Sequence, residues 1–277
     1  MSTIALLGAG GKMGCRITDN LRRVPHDTRY VEISAQGIAN LAQRGIQPTP
    51  LPAALSDADA VIFAVPDRAI GALAHDVIPH LKTGALVLVL DPAAPHSGVL
   101  PARHDIAYFV THPCHPPVIN DETDPEAKRD FFGGIKAKQN IVCALLQGSD
   151  ADYTHGEALA REIFAPVMRA HRITVEQMAI LEPAMSETVA ATLLLAIREA
   201  MDEAVKAGVP EEAARDFMLG HIWVDIGIMF GGCDAKLSDG ALKAINRAKP
   251  LLLQPDWKNV FAPDFIMREV KAIAHGA

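Results

Sequence analysis

A short apolar run, Ile4-Ala5-Leu6-Leu7, passes without interruption into Gly8-Ala9-Gly10-Gly11-Lys12-Met13-Gly14. Few folds accept a strand that ends in G-x-G-x-x-G and turns directly into a helix. The arrangement points backbone N–H groups, and the positive end of a helix dipole, at a place where a pyrophosphate can sit. Gly8 suits the tight turn, Gly10 a close approach of backbone to phosphate, and Gly14 close packing of the helix on the strand. A second apolar segment, Arg29-Tyr30-Val31-Glu32-Ile33, carries Glu32 eighteen residues after Gly14. That is close to the roughly 20-residue spacing at which a carboxylate accepts hydrogen bonds from the adenosine ribose. A carboxylate there repels a 2′-phosphate, so the expected cofactor is NAD. Its expected contacts are Gly8, Ala9, Gly10, Gly11, Lys12, Met13, Gly14 and Glu32.

Beyond Glu32 the chain keeps alternating strands with helices. Gly37–Gly45 reads as a helix, Ala60–Val65 as a buried strand, Ile70–Leu81 as a helix and Gly84–Leu90 as a strand, with further strand-like runs at Ile106–Val110 and Asn140–Leu146. This pattern predicts a doubly wound parallel sheet of the Rossmann type. From Thr174 onward the periodicity is helical, over Val175–Leu181, Ala184–Ala207 and a further helix from Glu211. The expected division is therefore an NAD-binding α/β domain over residues 1–168 and an all-helical substrate and dimerisation domain over 169–277.

The chain has 277 residues and a net charge of −7, without a basic run, which argues against a nucleic-acid footprint. Its four cysteines form no C-x-x-C pair, as expected of reduced thiols in a cytoplasmic protein. No stretch of about 20 uninterrupted apolar residues is seen that would span a membrane.

Two constellations have the residue types for chemistry. Thr111-His112-Pro113-Cys114-His115-Pro116-Pro117 comes directly after a strand and so emerges at the ligand edge of the sheet. Three prolines stiffen it, and histidine is the side chain best suited to moving protons near neutral pH, so His112 and His115 are the candidate catalytic residues. Zinc binding by His112, Cys114 and His115 is compatible with ligand type but lacks a fourth local ligand. The second constellation is Glu182, Glu187 and His221, candidate ligands of a divalent cation that would polarise a hydroxy-acid substrate. Pro183 would kink or restart the helix between the two glutamates. His221 fits a satisfied core histidine equally well. Asp67 and Asp91 close their strands and either touch the nicotinamide side or cap the next helix, capping being the expected role; Glu176 reads as a solvated or N-terminal helix carboxylate that the dipole favours.

These stretches, together with Val175-Glu176-Gln177-Met178-Ala179-Ile180-Leu181-Glu182-Pro183 and Ser186-Glu187-Thr188, resemble the D-apionate oxidoisomerases. Those enzymes are NAD-dependent relatives of the 6-phosphogluconate dehydrogenase and ketol-acid reductoisomerase superfamily. The resemblance implies a helical C-terminal domain of the 6-phosphogluconate dehydrogenase kind and a homodimer. It also implies a branched sugar acid as substrate, D-apionate being oxidised by NAD and rearranged to 3-oxo-isoapionate with help from a divalent metal. Arg172 departs from the reductoisomerase pattern, standing where a partner carboxylate to Glu176 would be expected, which speaks against a two-metal cage. The competing expectations are a plain NAD-dependent 3-hydroxyacid dehydrogenase and a non-catalytic NAD(H) sensor.

Overall fold

Three strands in the middle of the sheet consist almost wholly of residues that cannot face water: β1 (Thr3–Leu7), β3 (Ala60–Phe63) and β4 (Leu86–Val89). The computed structural model, which describes residues 1–275, places them side by side in a seven-stranded sheet of order β2-β1-β3-β4-β5-β6-β7. Here β2 is Asp27–Val31, β5 Ala107–Pro113, β6 Gln139–Gln147 and β7 Val167–Arg172. Neighbours from β2 to β5 pair in parallel. Helices α1 (Lys12–Leu21), α2 (Ala35–Ala42), α3 (Leu51–Leu55), α4 (Asp67–Val77) and α5 (Ala93–Ser97) connect them. Residues alternate between two apolar clusters, with Ile4, Leu6, Ile62 and Phe109 in one and Ala5, Leu7, Val61 and Phe63 in the other. This is why the central strands show unbroken apolar runs instead of alternation. Burying each of these large side chains contributes roughly 1.5–3 kcal/mol.

The far edge departs from a purely parallel sheet. Strand β6 runs antiparallel to β5, and β7 returns parallel to β6 after α6 (Asp150–Ile163). Ser149 and Asp152 form a reciprocal capping box that starts α6. Neither α6 nor β7 was expected. The expected helix over 70–81 is α4 followed by a short 3-10 turn, Ile78–His80.

The chain divides into two compact units, Met1–Glu182 with the returning C-terminal segment from Ile266, and Pro183–Phe265. The division falls at Glu182, beyond the expected residue 168, because β7 and α7 (Val175–Ala179) pack on β6. The returning segment belongs to α11 (Pro263–His275), which buries Ile266, Val270 and Ala274 on one helical face.

The second unit contains α8 (Thr192–Lys206), α9 (Glu211–Met229) and α10 (Asp239–Leu252). Pro183 lies within a π-helical stretch, Ile180–Ala191, where the Thr188 hydroxyl donates to the Pro183 carbonyl at 2.7 Å. The helical segments between Val175 and Lys206 join into one 32-residue run, within which an 18-residue window has a mean hydropathy of 1.5. By length and composition alone this run could cross a membrane, although polar residues interrupt it, so it is not a stretch of about 20 uninterrupted apolar residues. It carries Glu176, Glu182 and Glu187, and intramembrane carboxylates cost about 2.5–3.5 kcal/mol each at mid-span.

Candidate active site

The glycine turn lies where β1 and β3 part to receive connections on opposite sides, the position at which doubly wound sheets bind ligands. Gly8 has φ +76°, and a Cβ there would lie 2.4 Å from the Ala64 carbonyl oxygen. At Gly14 a Cβ would lie 2.0 Å from the Gly8 carbonyl oxygen, so helix and strand pack as closely as expected. Gly10 also needs its small size for packing. Its missing Cβ would meet the Gly37 carbonyl oxygen at 2.1 Å, so what passes close to Gly10 is α2.

Most of the turn's amides are already engaged. Those of Gly8 and Ala9 donate to the Val31 carbonyl, at 2.9 and 3.1 Å, and that of Gly11 donates to the Gly8 carbonyl at 3.0 Å. The Gly10 amide donates to Glu32 Oε2 at 3.0 Å. An anion is therefore left the first turn of α1, at Lys12, Met13 and Gly14, whose N-cap Gly11 offers no side-chain oxygen. Glu32 is held firmly. Its Oε1 accepts from the Ile33 and Ser34 amides and the Ser34 hydroxyl, each at 2.9 Å. Burial pushes this carboxyl upward, but the bonds from Ser34, Ile33 and Gly10 outweigh it, and the net shift is downward. The group is an ionised acceptor at neutral pH, as a ribose contact requires.

The chemical half of the site forms at the carboxyl ends of β3, β4 and β5. Strand β5 extends through His112 and Pro113, paired with Val142 and Ile141 of β6. His112 therefore stands on a strand, which corrects the expected loop; His115 lies on the turn beyond it, with φ +61°. The His112 Nδ1 lies 2.8 Å from the Leu90 carbonyl oxygen. A carbonyl can only accept, so Nδ1 carries the proton and Nε2 is the nitrogen free to exchange one. That Nε2 faces Glu182 Oε2 at 3.4 Å, and Asp91 Oδ2 lies 3.9 Å from Nδ1. Asp91 also accepts from the Ala93 amide at 2.7 Å, the expected capping role.

The N-cap of α4 is Pro66, without a side-chain cap, and Asp67 is the acidic residue of that helix's first turn, its carboxyl accepting from its own amide. Its carboxyl is pushed up to about 6, first by burial and then by the charge of Asp91, with Glu182 adding to it. Four titratable groups thus share one corner, of which only His112 and Glu182 were expected as site residues. The sign available in the sequence for Asp67 and Asp91 was their place directly after a strand.

The Cys114 thiol is pushed up by partial burial and by Glu182, which disfavours a zinc thiolate. Glu187 and His221 belong to the second unit. His221 is exposed, its ring stacked on Phe217 at 3.9 Å and its Nδ1 2.8 Å from the Phe217 carbonyl oxygen. It is therefore not a core histidine. Among the described residues no group of three or more His, Cys, Asp or Glu side chains is already placed to hold a metal ion.

A glycine turn with an ionised acid beside it, and a strand-end histidine facing a carboxylate, fit a Rossmann-type NAD-dependent oxidoreductase. The family described as phosphogluconate dehydrogenase (decarboxylating) C-term matches residues 120–274. Over its whole length the chain is similar to D-apionate oxidoisomerases. It is 53% identical to that of Rhizobium rhizogenes, covering 99% of this chain and all of the relative. It is 49% identical to that of Cupriavidus necator, covering 98% of each. A crystal structure described as a semialdehyde dehydrogenase NAD-binding protein from Cupriavidus necator, in complex with calcium and NAD, superposes with a TM-score of 0.96 at 48% identity over 99% of both chains. The chain belongs to the D-apionate oxidoisomerase family.

Proposed function

We propose that this enzyme oxidises D-apionate with NAD and rearranges the product to 3-oxo-isoapionate, with assistance from a divalent metal ion. The observation that carries this reading is the His112 Nε2, fixed as a proton acceptor by Leu90 and placed against Glu182. Relatives named for this activity, at 53% and 49% identity over nearly the full chain, supply the substrate. The solved relative holds both NAD and calcium.

The uncapped first turn of α1 and the ionised Glu32 fit a dinucleotide, whose diphosphate would meet the Lys12, Met13 and Gly14 amides. Carboxylate oxygens and one imidazole nitrogen, from Glu182, Glu187 and His221, suit a hard divalent ion. Glu182 and Glu187 stand five residues apart within the i→i+5 hydrogen-bonded stretch. When bound, NAD accepts the hydride and the ion polarises neighbouring substrate oxygens. His112 Nε2 takes the proton of the hydroxyl being oxidised, while Asp91 and the Leu90 carbonyl steady the other side of its ring. His115, on the turn beyond, takes part in proton transfer or holds the substrate carboxylate.

The active species is a cytoplasmic homodimer. Free thiols, with Cys114 and Cys233 on exposed residues, suit a reducing compartment, and the apolar surface of the helical unit suits a second copy.

The test is NADH absorbance with NAD, Mg²⁺ or Mn²⁺ and a panel of four- to six-carbon sugar acids, with and without EDTA. The expected result is NADH from D-apionate alone or best, abolished by chelator. Loss of about 10²–10⁴-fold in kcat is expected in His112→Asn. Full activity in EDTA would point to a plain hydroxyacid dehydrogenase, and tight NAD binding without any turnover to a sensor.

A further inference from the structure

Three side chains on one face of α1, at positions 12, 16 and 20, reach the same short segment. The Lys12 ammonium stands 3.8 Å from the centroid of the Phe132 ring, and the Arg16 guanidinium 5.0 Å from it. Arg16 Nε donates to the Gly133 carbonyl at 3.2 Å, and Asn20 Nδ2 to the Gly134 carbonyl at 3.1 Å. From the other side, Asp130 Oδ2 accepts the amides of Ile135, Lys136 and Ala137 at 3.0 to 3.2 Å. Residues 130–137 are thus tied down at both ends, although they form neither helix nor strand.

What this segment presents to the active site is the Phe132 main-chain carbonyl. His115 Nδ1 lies 2.9 Å from it, and the two rings meet perpendicularly with centroids 5.8 Å apart. His115 in turn lies edge-on to His112, at 6.1 Å. Its backbone is left-handed, a conformation that a non-glycine residue holds only when its surroundings impose it. A carbonyl accepts but cannot donate, so this contact puts the proton on Nδ1 and leaves Nε2 as the acceptor, the same tautomer that Leu90 imposes on His112.

We propose that Phe132 is a positioning residue through which the cofactor-facing helix α1 fixes the orientation and tautomer of His115. Lys12 and Arg16 hold the ring by cation–π contact, the ring holds the segment, and the segment's carbonyl sets which nitrogen of His115 exchanges protons. The proposal rests on the reading of His115 as a proton carrier. It adds that the helix whose first turn faces the diphosphate also sets the geometry of a group in the chemical half of the site.

The experiment compares Phe132→Leu and Phe132→Tyr with the parent enzyme, and runs His115→Ala alongside. Leucine keeps bulk and backbone but removes the π face, while tyrosine restores it. Imidazole nitrogen NMR should show His115 as the single Nδ1-protonated tautomer in the parent and in Phe132→Tyr, and as a mixture in Phe132→Leu. Phe132→Leu should lower kcat about tenfold with a displaced pH profile, while KM for NAD changes less than about threefold and tyrosine restores kcat. An unchanged tautomer and unchanged kcat in Phe132→Leu, with kcat reduced in His115→Ala, overturns the positioning role alone. Full kcat in His115→Ala overturns the reading of His115 and this proposal with it.

Discussion

The two units of the chain solve the burial problem differently. In Met1–Glu182, every residue of β3 and β4 is buried, and two apolar clusters sandwich the sheet. In Pro183–Phe265, α8 buries only Met201, α9 only Ala214, and α10 no residue at all. Large apolar side chains there face outward instead, with Leu251 at 84%, Leu252 at 80% and Phe230 at 76% exposure. Monomeric proteins rarely leave large contiguous apolar patches in water. One unit carries its own core; the other buries few of its apolar side chains within itself, as the proposed homodimer would require.

Charging the exposed faces tests this contrast directly and should have the most drastic outcome. A Leu194→Glu, Trp223→Glu double variant places two charges on the exposed apolar faces of α8 and α9. Light scattering after size exclusion should show a parent of two-chain mass and a variant of one-chain mass, with activity reduced at least about a hundredfold. A parent of one-chain mass would remove the contrast, since the helical unit would then be stable with its apolar surface wet.

A pair of glycine substitutions probes it more finely. Gly10→Ala drives a Cβ against the Gly37 backbone within the self-sufficient unit, and should cost about 2–4 kcal/mol in denaturant unfolding. Gly220→Ala, in the interior of α9, meets nothing within 4 Å in the single chain. There it should be neutral or stabilise by up to about 1 kcal/mol, through helix propensity alone. If Gly220→Ala instead destabilises and shifts the mass toward one chain, the partner's surface passes close to that glycine.

A smaller effect is expected at Glu32. Glu32→Gln keeps the shape and an acceptor oxygen but loses the charge, so NAD should bind about tenfold more weakly, and discrimination against NADP should shrink by a similar factor. Titrations of both dinucleotides measure it. Equal loss for both would mean that Glu32 acts only by bracing Gly10 and Ser34.

The first unit was also the more legible of the two. Runs such as Ala60-Val61-Ile62-Phe63 have one sensible home, the middle of a parallel sheet, and the Gly8–Gly14 turn with Glu32 could be read from its spacing. The antiparallel direction of β6 was not legible, because a run buried on both faces reads the same from either end. Strand β7 escaped because Arg169, His171 and Arg172 give it the polarity of a sheet edge. Helix α6 does carry a local signal, Ser149 and Asp152 three residues apart. The packing of Gly10 on Gly37 was not legible, because Gly37 is 27 residues away along the chain. The juxtaposition of His112 with Glu182 depends on β6, α6, β7 and α7 folding back between them, and no local pattern records that. In the second unit the helices were legible from their periodicity, but how few of their apolar residues are buried became apparent only when the faces were placed.

The mildest change belongs to Asp67, and it separates a group placed for chemistry from one placed for stability. Its carboxyl titrates at about 6, against 3.8 for an unperturbed aspartate, because burial and the charge of Asp91 disfavour ionisation. Between those two values the folded protein binds more protons than the unfolded chain. Stability from this group is therefore full below about pH 4 and declines as pH rises through about 6. At pH 8 the folded state bears the cost of an ionised Asp67 beside Asp91. Allowing for its partial exposure to water, that cost is on the order of 1 kcal/mol. Asp67→Asn should therefore raise the melting temperature at pH 8 by about 2–4 °C and have a much smaller effect at pH 4. If the same variant also loses activity, the corner holds a carboxylate at the expense of the fold, as active sites often do. If the melting temperature is unmoved at both pH values, Asp67 is ionised without penalty, and the crowding of charge around His112 is less severe than its geometry implies.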